Sequence, residues 1–518
     1  MERESSRHYA PLFHRCILIL HAVFCWSSII GSTPNAKAAE TKHVFEFGIT
    51  FPKDAMAEPF SGRVVIFLSK TDREPRFSDT WLNRIALIGA DFSRIPPDQC
   101  MWITDTNAIS YPVLPSEMER GQYFVQAVMD LGLSALAPGR SPGNLYSDPS
   151  QVYFGKTGQS LRLVCKHRIQ QEIQESAWSK LVRIQSGRLS AFHGKPVFVQ
   201  AKVHLPEAWQ KEPQRRFPML LFIPGAGFDL ENANWQTGPE KMFPDEPIVV
   251  VWLEAYGPDG HGEFANSRNN GPWGDALVHE LIPEIERRFR CFGHREARLI
   301  RGHSAGGGAT LRLMLNYPEF FGYGWSSAPS PSDYRDFHGA NIYEPGANMF
   351  YDRDGELRPV VEIAGMGIVA YFKDMSDREQ VLGRGGFRTL EAIFTQRGPD
   401  GQPEHLWDRR TGAVNPKVAA DWRSYDNGYQ LIHRWNELGP KLAGRISITV
   451  GTFDQLGLAG PVMLLKKDLE AIGADVRITV SPGDHLHGMG SLETAKEEPR
   501  RMFERFRKWR DQQQPRNP

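Results

Sequence analysis

The chain predicts a mostly parallel, doubly wound α/β sheet preceded by a small β-sandwich. Three observations carry this reading. The first half is dominated by short runs of β-branched and aromatic residues separated by Pro and Gly clusters such as "APGRSPG". From about Leu181 continuous apolar runs alternate with helical patterns, the signature of parallel strands buried on both faces. The composition, 41% hydrophobic and 24% charged, is that of a globular protein able to bury sizeable cores.

The first 38 residues read as a leader rather than as fold. A weakly basic start, "MERESSRHYAPLFHR", precedes the apolar run Cys16–Gly31, and "AKA" (Ala36–Ala38) places small residues at the spacing a signal peptidase reads. Cleavage after Ala38 and export, secreted or periplasmic, are the expectation. The run is short for a membrane span and His21 interrupts it; Cys25 as a lipid-bearing cysteine is disfavoured by the bulky Phe24 before it. Cleavage leaves Cys100, Cys165 and Cys291, of which Cys100 and Cys165 are the expected disulfide pair in an oxidising compartment.

Residues 39–170 form the predicted β-sandwich. "GRVVIFLSK", "GQYFVQAVMD" and "SLRLVCKHRI" read as strands, and a helical period is read only around "SDTWLNRIALIGA". The polar stretch Gln170–Lys180 links it to the α/β domain, residues 171–512. There "KPVFVQAKVHLP", "FPMLLFIPG", "EPIVVVWLEA", "ARLIRG", "GYGWSSA", "RISITVG" and "DVRITV" are strands. "DALVHELIPEIERRF", "AGGGATLRLMLNYP" and "PVMLLKKDLEAIG" are helices between them. The alternation breaks over about residues 329–440, far longer than an ordinary connection. This insertion is read as a cover over the carboxyl edge of the sheet, against the alternative of an inert surface excursion. The basic "RRMFERFRKWR" reads as a final helix packed on the sheet with a solvated face.

Lys+Arg and Asp+Glu both total 61, so a net charge of zero gives no electrostatic basis for binding nucleic acid or, once the leader is removed, an acidic membrane.

The chemistry centres on "RLIRGHSAGGGAT". Ser304 follows a predicted strand and opens a predicted helix, the setting of a nucleophile elbow. Such a turn needs small neighbours two positions either side, here Gly302 and Gly306. It also sets the Ala305 N–H at a helix N-terminus, where developing negative charge is favoured. In sheets with this elbow the acid and base follow the nucleophile. Asp454 lies just past "RISITVG" and His485 just past "DVRITV". The roles predicted are nucleophile for Ser304, general base for His485 and orienting acid for Asp454. His487 is the alternative base; Asp421 and Asp426 are weaker acids. Asp484 with the two histidines offers only a thin case for a metal, so no metal and no cofactor are expected. "PGAGF" after the strand "MLLFI" supplies a second oxyanion donor, from Ala226 or Gly227. Trp273 is expected either to line the pocket or to pack in the core, and Asp275 to cap the helix that follows it.

"GHSAGG", "NGPWGDALVHELIPEIE" and "PGDHLHG" resemble the "Putative esterase" (esterase D-like) family of α/β-hydrolases, over roughly Leu181 to Arg510. That family includes feruloyl and acetyl esterases and acyl-transferring relatives. The resemblance implies the α/β-hydrolase fold and carries Ser304, Asp454 and His485 into the catalytic triad. The N-terminal region is similar to β-rich domains that precede such esterases in some exported bacterial proteins. "PGAG" stands where many relatives have a His-Gly pair. The expected activity is cleavage of a carboxylic ester, small or carried on a carbohydrate, through an acyl-enzyme. A serine peptidase of the same fold and a non-catalytic binding protein are the alternatives.

Overall fold

The computed structural model describes residues 45–513 except 80–82, 133–136, 156–157, 234–237, 242, 258 and 486–491. The predicted leader lies outside them. All fall within one compact unit, His43–Pro518. Among the described residues no helix is long and apolar enough to cross a membrane.

The N-terminal region is a sheet of nine strands: β1 (Phe45–Thr50), β2 (Phe60–Ser69), β3 (Ala86–Ile95), β4 (Met101–Ile103), β5 (Ile109–Tyr111), β6 (Gly121–Asp130), β7 (Leu145–Ser147), β8 (Ser150–Phe154) and β9 (Gln159–Arg168). Their order is β4-β1-β9-β7-β6-β2-β3-β5, with β8 on β6. Side chains alternate across a strand. Val64, Ile66 and Leu68 of β2 therefore join Phe47, Ile49, Ile88 and Leu163 in one core, while Val65 and Phe67 face the other way.

Two expectations are corrected here. "SDTWLNRIALIGA" is not helical where described: Ala86–Ala90 belong to β3. Ile88 enters the sheet's own core while Leu87 packs on the opposite face, so both faces are apolar and the period of two is hidden. Cys100 and Cys165 are free, as is Cys291. Strand β1 separates β4 from β9, and two strand spacings, about 10 Å, exceed disulfide reach.

The second sheet has eight strands: β10 (Ser179–Gln185), β11 (Phe198–His204), β12 (Met219–Ile223), β13 (Val249–Leu253), β18 (Arg298–His303), β19 (Tyr323–Ser327), β22 (Ile446–Gly451) and β23 (Arg477–Ser481). Between β13 and β18 lie two short hairpins, β14 (Tyr256–Gly257) with β15 (Gly260–His261), and β16 (Asn266–Ser267) with β17 (Gly271–Pro272); β20 (Pro359–Ile363) and β21 (Gly367–Tyr371) form a third within the insertion. The order is β10-β11-β13-β12-β18-β19-β22-β23. β10, β11 and β13 pair antiparallel, and from β13 onward every neighbour is parallel. β13, β19 and β22 are buried at every residue, as two covered faces require.

On one face lie the helix Ala305–Asn316, the helix Ala459–Ala471 and the run Trp273–Phe289, which passes through a π turn at Leu277–Leu281. On the other, Met502 and Phe503 of the last helix, Leu492–Gln513, pack on Leu220, Tyr323 and Trp325. Its basic face is tied down as well: Arg507 and Arg510 pair with the buried Glu246 at 3.1 and 2.8 Å.

The residues between β19 and β22 have their own core, with Phe337, Phe350, Phe372, Trp407 and Trp422 at its centre. They also reach back to the N-terminal sheet. Val381, in the helix Phe372–Leu382, packs on Val65, Phe67, Leu87 and Val128. Any Cβ at Gly89 would come within 2.6 Å of the Val381 carbonyl. Arg84 pairs with Asp374 at 2.5 Å, Arg378 with Asp79 and Arg384 with Asp130. The insertion is thus no inert excursion: it joins the two sheets.

Candidate active site

Ser304 sits at the carboxyl end of β18, where the strand passes directly into the helix Ala305–Asn316. Its backbone, φ 57° and ψ −122°, lies in a region that non-glycine residues rarely occupy. The strain is held by its surroundings. The Ser304 N–H donates to the Ser327 carbonyl at 2.9 Å, and the Ser304 carbonyl accepts from Gly308 and Ser330 at 3.1 and 2.9 Å. A Cβ on Gly302 would sit 2.0 Å from the Gly306 oxygen, and one on Gly306 would sit 2.1 Å from the Ile223 oxygen. Both positions require glycine because backbone meets backbone there. Ala305 opens the helix, so its N–H belongs to the unsatisfied first turn.

Asp454 and His485 leave the carboxyl ends of β22 and β23, neighbours on the edge that carries Ser304. His485 Nδ1 is 2.8 Å from Asp454 Oδ2. The other carboxylate oxygen accepts the Leu456 N–H at 2.9 Å, and the side chain is fully buried. The Gln455 side chain takes the His485 N–H at 2.7 Å, while its carbonyl accepts from Glu362 of β20 at 2.9 Å. The insertion hairpin is thereby tied to the histidine loop. With Nδ1 engaged, Nε2 is the nitrogen left to handle a proton.

The His485 ring lies 4.7 Å from that of His303, the residue before Ser304. Burial, with His485 beside it, pushes the His303 imidazole down to about 3. It is therefore neutral at ordinary pH and does not oppose a positive charge on its neighbour.

The loop after β12 faces the serine: a Cβ on Gly225 would lie 3.2 Å from Ser304 Cβ. The amide of Gly227 is already engaged, donating to the Tyr256 hydroxyl. This corrects the expectation that Gly227 is free to serve as an oxyanion donor; Ala226 and Ala305 remain. The Pro224 carbonyl accepts from Nε2 of the buried His261 at 2.8 Å, which fixes that ring's proton on Nε2. Tyr256 and His261 are cross-strand partners in the hairpin β14–β15.

Trp273 supports this hairpin and does not line a pocket. It is 7% exposed, belongs to the main core and spends its indole N–H on the Asn270 carbonyl at 2.8 Å. A Cβ on Gly257 would lie 3.0 Å from its ring. Asp275 is no cap; it accepts from Tyr317 at 2.6 Å inside the first turn.

Of the alternatives, Asp426 caps the helix Asn427–His433 and accepts from Tyr343 at 2.8 Å, and Asp421 is exposed on another helix. His487, and with it the thin metal reading, lies outside the described residues. A buried pair not foreseen from sequence, Glu263 and Arg312 at 3.1 Å, fastens the loop after β13 to the nucleophile helix. Glu263 also accepts from Ser330 at 3.0 Å, the residue whose N–H holds the Ser304 carbonyl.

The geometry can be set beside known proteins. A family model described as "Putative esterase" matches residues 198–467. Esterase Rv1288 of Mycobacterium tuberculosis (strain ATCC 25618 / H37Rv) is 29% identical over 138 residues, covering 25% of this chain and 29% of that relative. The chain thus spans under a third of the length of the curated relatives it matches. Among solved structures, FphF, a fluorophosphonate-binding serine hydrolase of Staphylococcus aureus, is 13% identical with a TM-score of 0.39, over 62% of this chain and 98% of its own. An S-formylglutathione hydrolase from Agrobacterium tumefaciens is 16% identical with a TM-score of 0.38, over 64% and 97%. Because the family model accounts for more than half of its residues, the chain belongs to the esterase family.

Proposed function

We propose that the chain is a serine hydrolase of the α/β-hydrolase fold that cleaves carboxylic esters through an acyl-enzyme. The observation that carries this reading is the Asp454–His485 pair on the same sheet edge as a serine held in elbow geometry. His485 Nε2 takes the Ser304 proton as Oγ attacks the ester carbonyl. The resulting oxyanion is stabilised by the Ala305 N–H at the helix start and by the Ala226 N–H. Collapse expels the alcohol, which receives the proton from His485 and leaves the acyl group on Ser304. Water, activated by the same imidazole, releases the acid. Asp454 holds the ring with its proton on Nδ1 and stabilises the imidazolium.

The domain limits proposed are 39–170 for the β-rich region and 171–512 for the catalytic one. The substrates proposed are acylated carbohydrates or phenolic esters. Export after cleavage at Ala38 is part of the same reading, and N-terminal sequencing of the mature protein checks it.

Hydrolysis of p-nitrophenyl acetate by the wild type and by Ser304→Ala tests the reaction. Loss of turnover in a variant that keeps its fold is the expected result. Undiminished turnover removes Ser304 from the mechanism.

A further inference from the structure

We infer that the hydroxyl of Tyr256 is a donor of the oxyanion hole, taking the place that the Gly227 amide would otherwise fill. The inference rests on the ester-hydrolase reading of Ser304 and adds a side chain to it.

Four observations lead there. First, the Gly227 N–H is spent on the Tyr256 oxygen, so it cannot point at a substrate without breaking that bond. Second, a phenol that accepts one hydrogen bond still carries its own proton. Among the described residues none takes that proton, and Tyr256 is only partly buried.

Third, Tyr256 is placed beside the reacting centre. β12 and β13 are parallel neighbours with Phe222 opposite Trp252, so Ala226 and Tyr256 each follow a matched position by four residues. The loops leave the same edge side by side, and a Cβ on Gly225 in one of them would lie 3.2 Å from Ser304 Cβ.

Fourth, the hydroxyl is pre-positioned. The Tyr256 N–H donates to Glu254 at 3.1 Å, and His261 on the partner strand holds the Pro224 carbonyl. Trp273 lies under Gly257, and Thr389 of the insertion donates to the Asp259 carbonyl at 2.9 Å. The hairpin therefore grips the oxyanion loop at two points, Pro224 and Gly227. Desolvation of its half-buried ring pushes the phenol up to about 12, so it keeps its proton at any working pH.

In the tetrahedral intermediate the substrate oxygen accepts from Tyr256 Oη–H beside the Ala305 and Ala226 N–H groups. No proton is transferred and no bond to the tyrosine forms. The Gly227 N–H, by donating to the phenol oxygen, polarises the O–H and makes it the stronger donor.

The test compares wild type, Tyr256→Phe and Ser304→Ala on p-nitrophenyl acetate. It adds the affinity of wild type and Tyr256→Phe for an alkyl trifluoromethyl ketone, which forms a tetrahedral adduct on a serine. Tyr256→Phe is expected to lower kcat about 100-fold with KM changed less than about threefold. Ketone affinity should fall by the same factor as kcat/KM. A Tyr256→Phe enzyme within threefold of wild type overturns the inference. So does a faster one, which makes the hydroxyl a plug on the Gly227 amide. If Ser304→Ala keeps its turnover, the ester-hydrolase reading itself has failed, and the two failures are distinct. Should Tyr256→Phe not fold, a fluorinated tyrosine at position 256 keeps the packing while making the phenol a stronger donor. Tighter ketone binding is then expected, and unchanged binding overturns the inference.

Discussion

His485 Nδ1 lies 2.8 Å from Asp454 Oδ2, across 31 residues of chain and between loops that leave neighbouring strands. The carboxylate is fully buried and its second oxygen is held by the Leu456 amide, so it is fixed where it orients the ring and stabilises its charged form. Asp454→Asn turns an acceptor into a donor at that point and favours the wrong tautomer. We expect kcat for ester hydrolysis to fall about 10⁴-fold, with the thermal midpoint little changed. Steady-state kinetics beside a melting curve check both halves.

The elbow glycines make a separate prediction, on folding. Gly302→Ala and Gly306→Ala each drive a Cβ to about 2 Å from a carbonyl oxygen that belongs to the sheet or to the next helix. The Gly306 oxygen cannot move without breaking the strand-to-helix turn, nor the Ile223 oxygen without displacing the end of β12. Each substitution is expected to cost at least about 3 kcal/mol in urea unfolding. Stability close to wild type would mean that the turn is looser than the contacts indicate.

The two sheets are joined by charge as well as by Val381. Asp130 is 5% exposed and is the partner of Arg384, while its other oxygen accepts from Gly132 and Asn144. Asp130→Ala leaves the guanidinium largely buried without its counter-ion. A loss of about 3–5 kcal/mol is expected. Limited proteolysis should then cut the insertion sooner. Equal resistance of both proteins would place the adhesion elsewhere.

Glu254 gives a pH dependence with a definite sign. Burial pushes its carboxyl up to about 8, with the hydrogen bond from the Tyr256 amide opposing it. Between the ordinary carboxylate value, about 4, and 8 the folded state holds a proton that the unfolded chain has released. Stability therefore falls as pH rises through this window. Glu254→Gln should lose less stability than wild type between pH 5.5 and 8.5 in urea titrations. Parallel pH profiles would show that Glu254 is not the group responsible.

The sequence reveals what depends on local pattern. Continuous apolar runs mark β12 and β13 because those strands are covered on both faces. Glycines around Ser304 mark the elbow because a side chain there meets backbone, of the helix start at Gly302 and of β12 at Gly306. Asp454 and His485 are legible because each follows a strand directly. What depends on distant partners is not legible. Tyr256 acts on Gly227, 29 residues away, and its sole sequence signal is a polar ring just past the end of a buried strand. The helical reading near Leu87 failed because α-like spacing and two-sided strand burial look alike over a few residues. The sequence leaves Trp273 open between pocket and core because its indole partner, the Asn270 carbonyl, comes from the backbone and leaves no trace in composition.

The central claim is that Ser304 is a nucleophile activated by His485. The most direct measurement is fluorophosphonate labelling of the folded chain followed by peptide mapping. The account predicts a covalent adduct on the peptide bearing Ser304, formed at least 100-fold more slowly in His485→Ala. An adduct on another residue, or equal labelling of the two proteins, would contradict it.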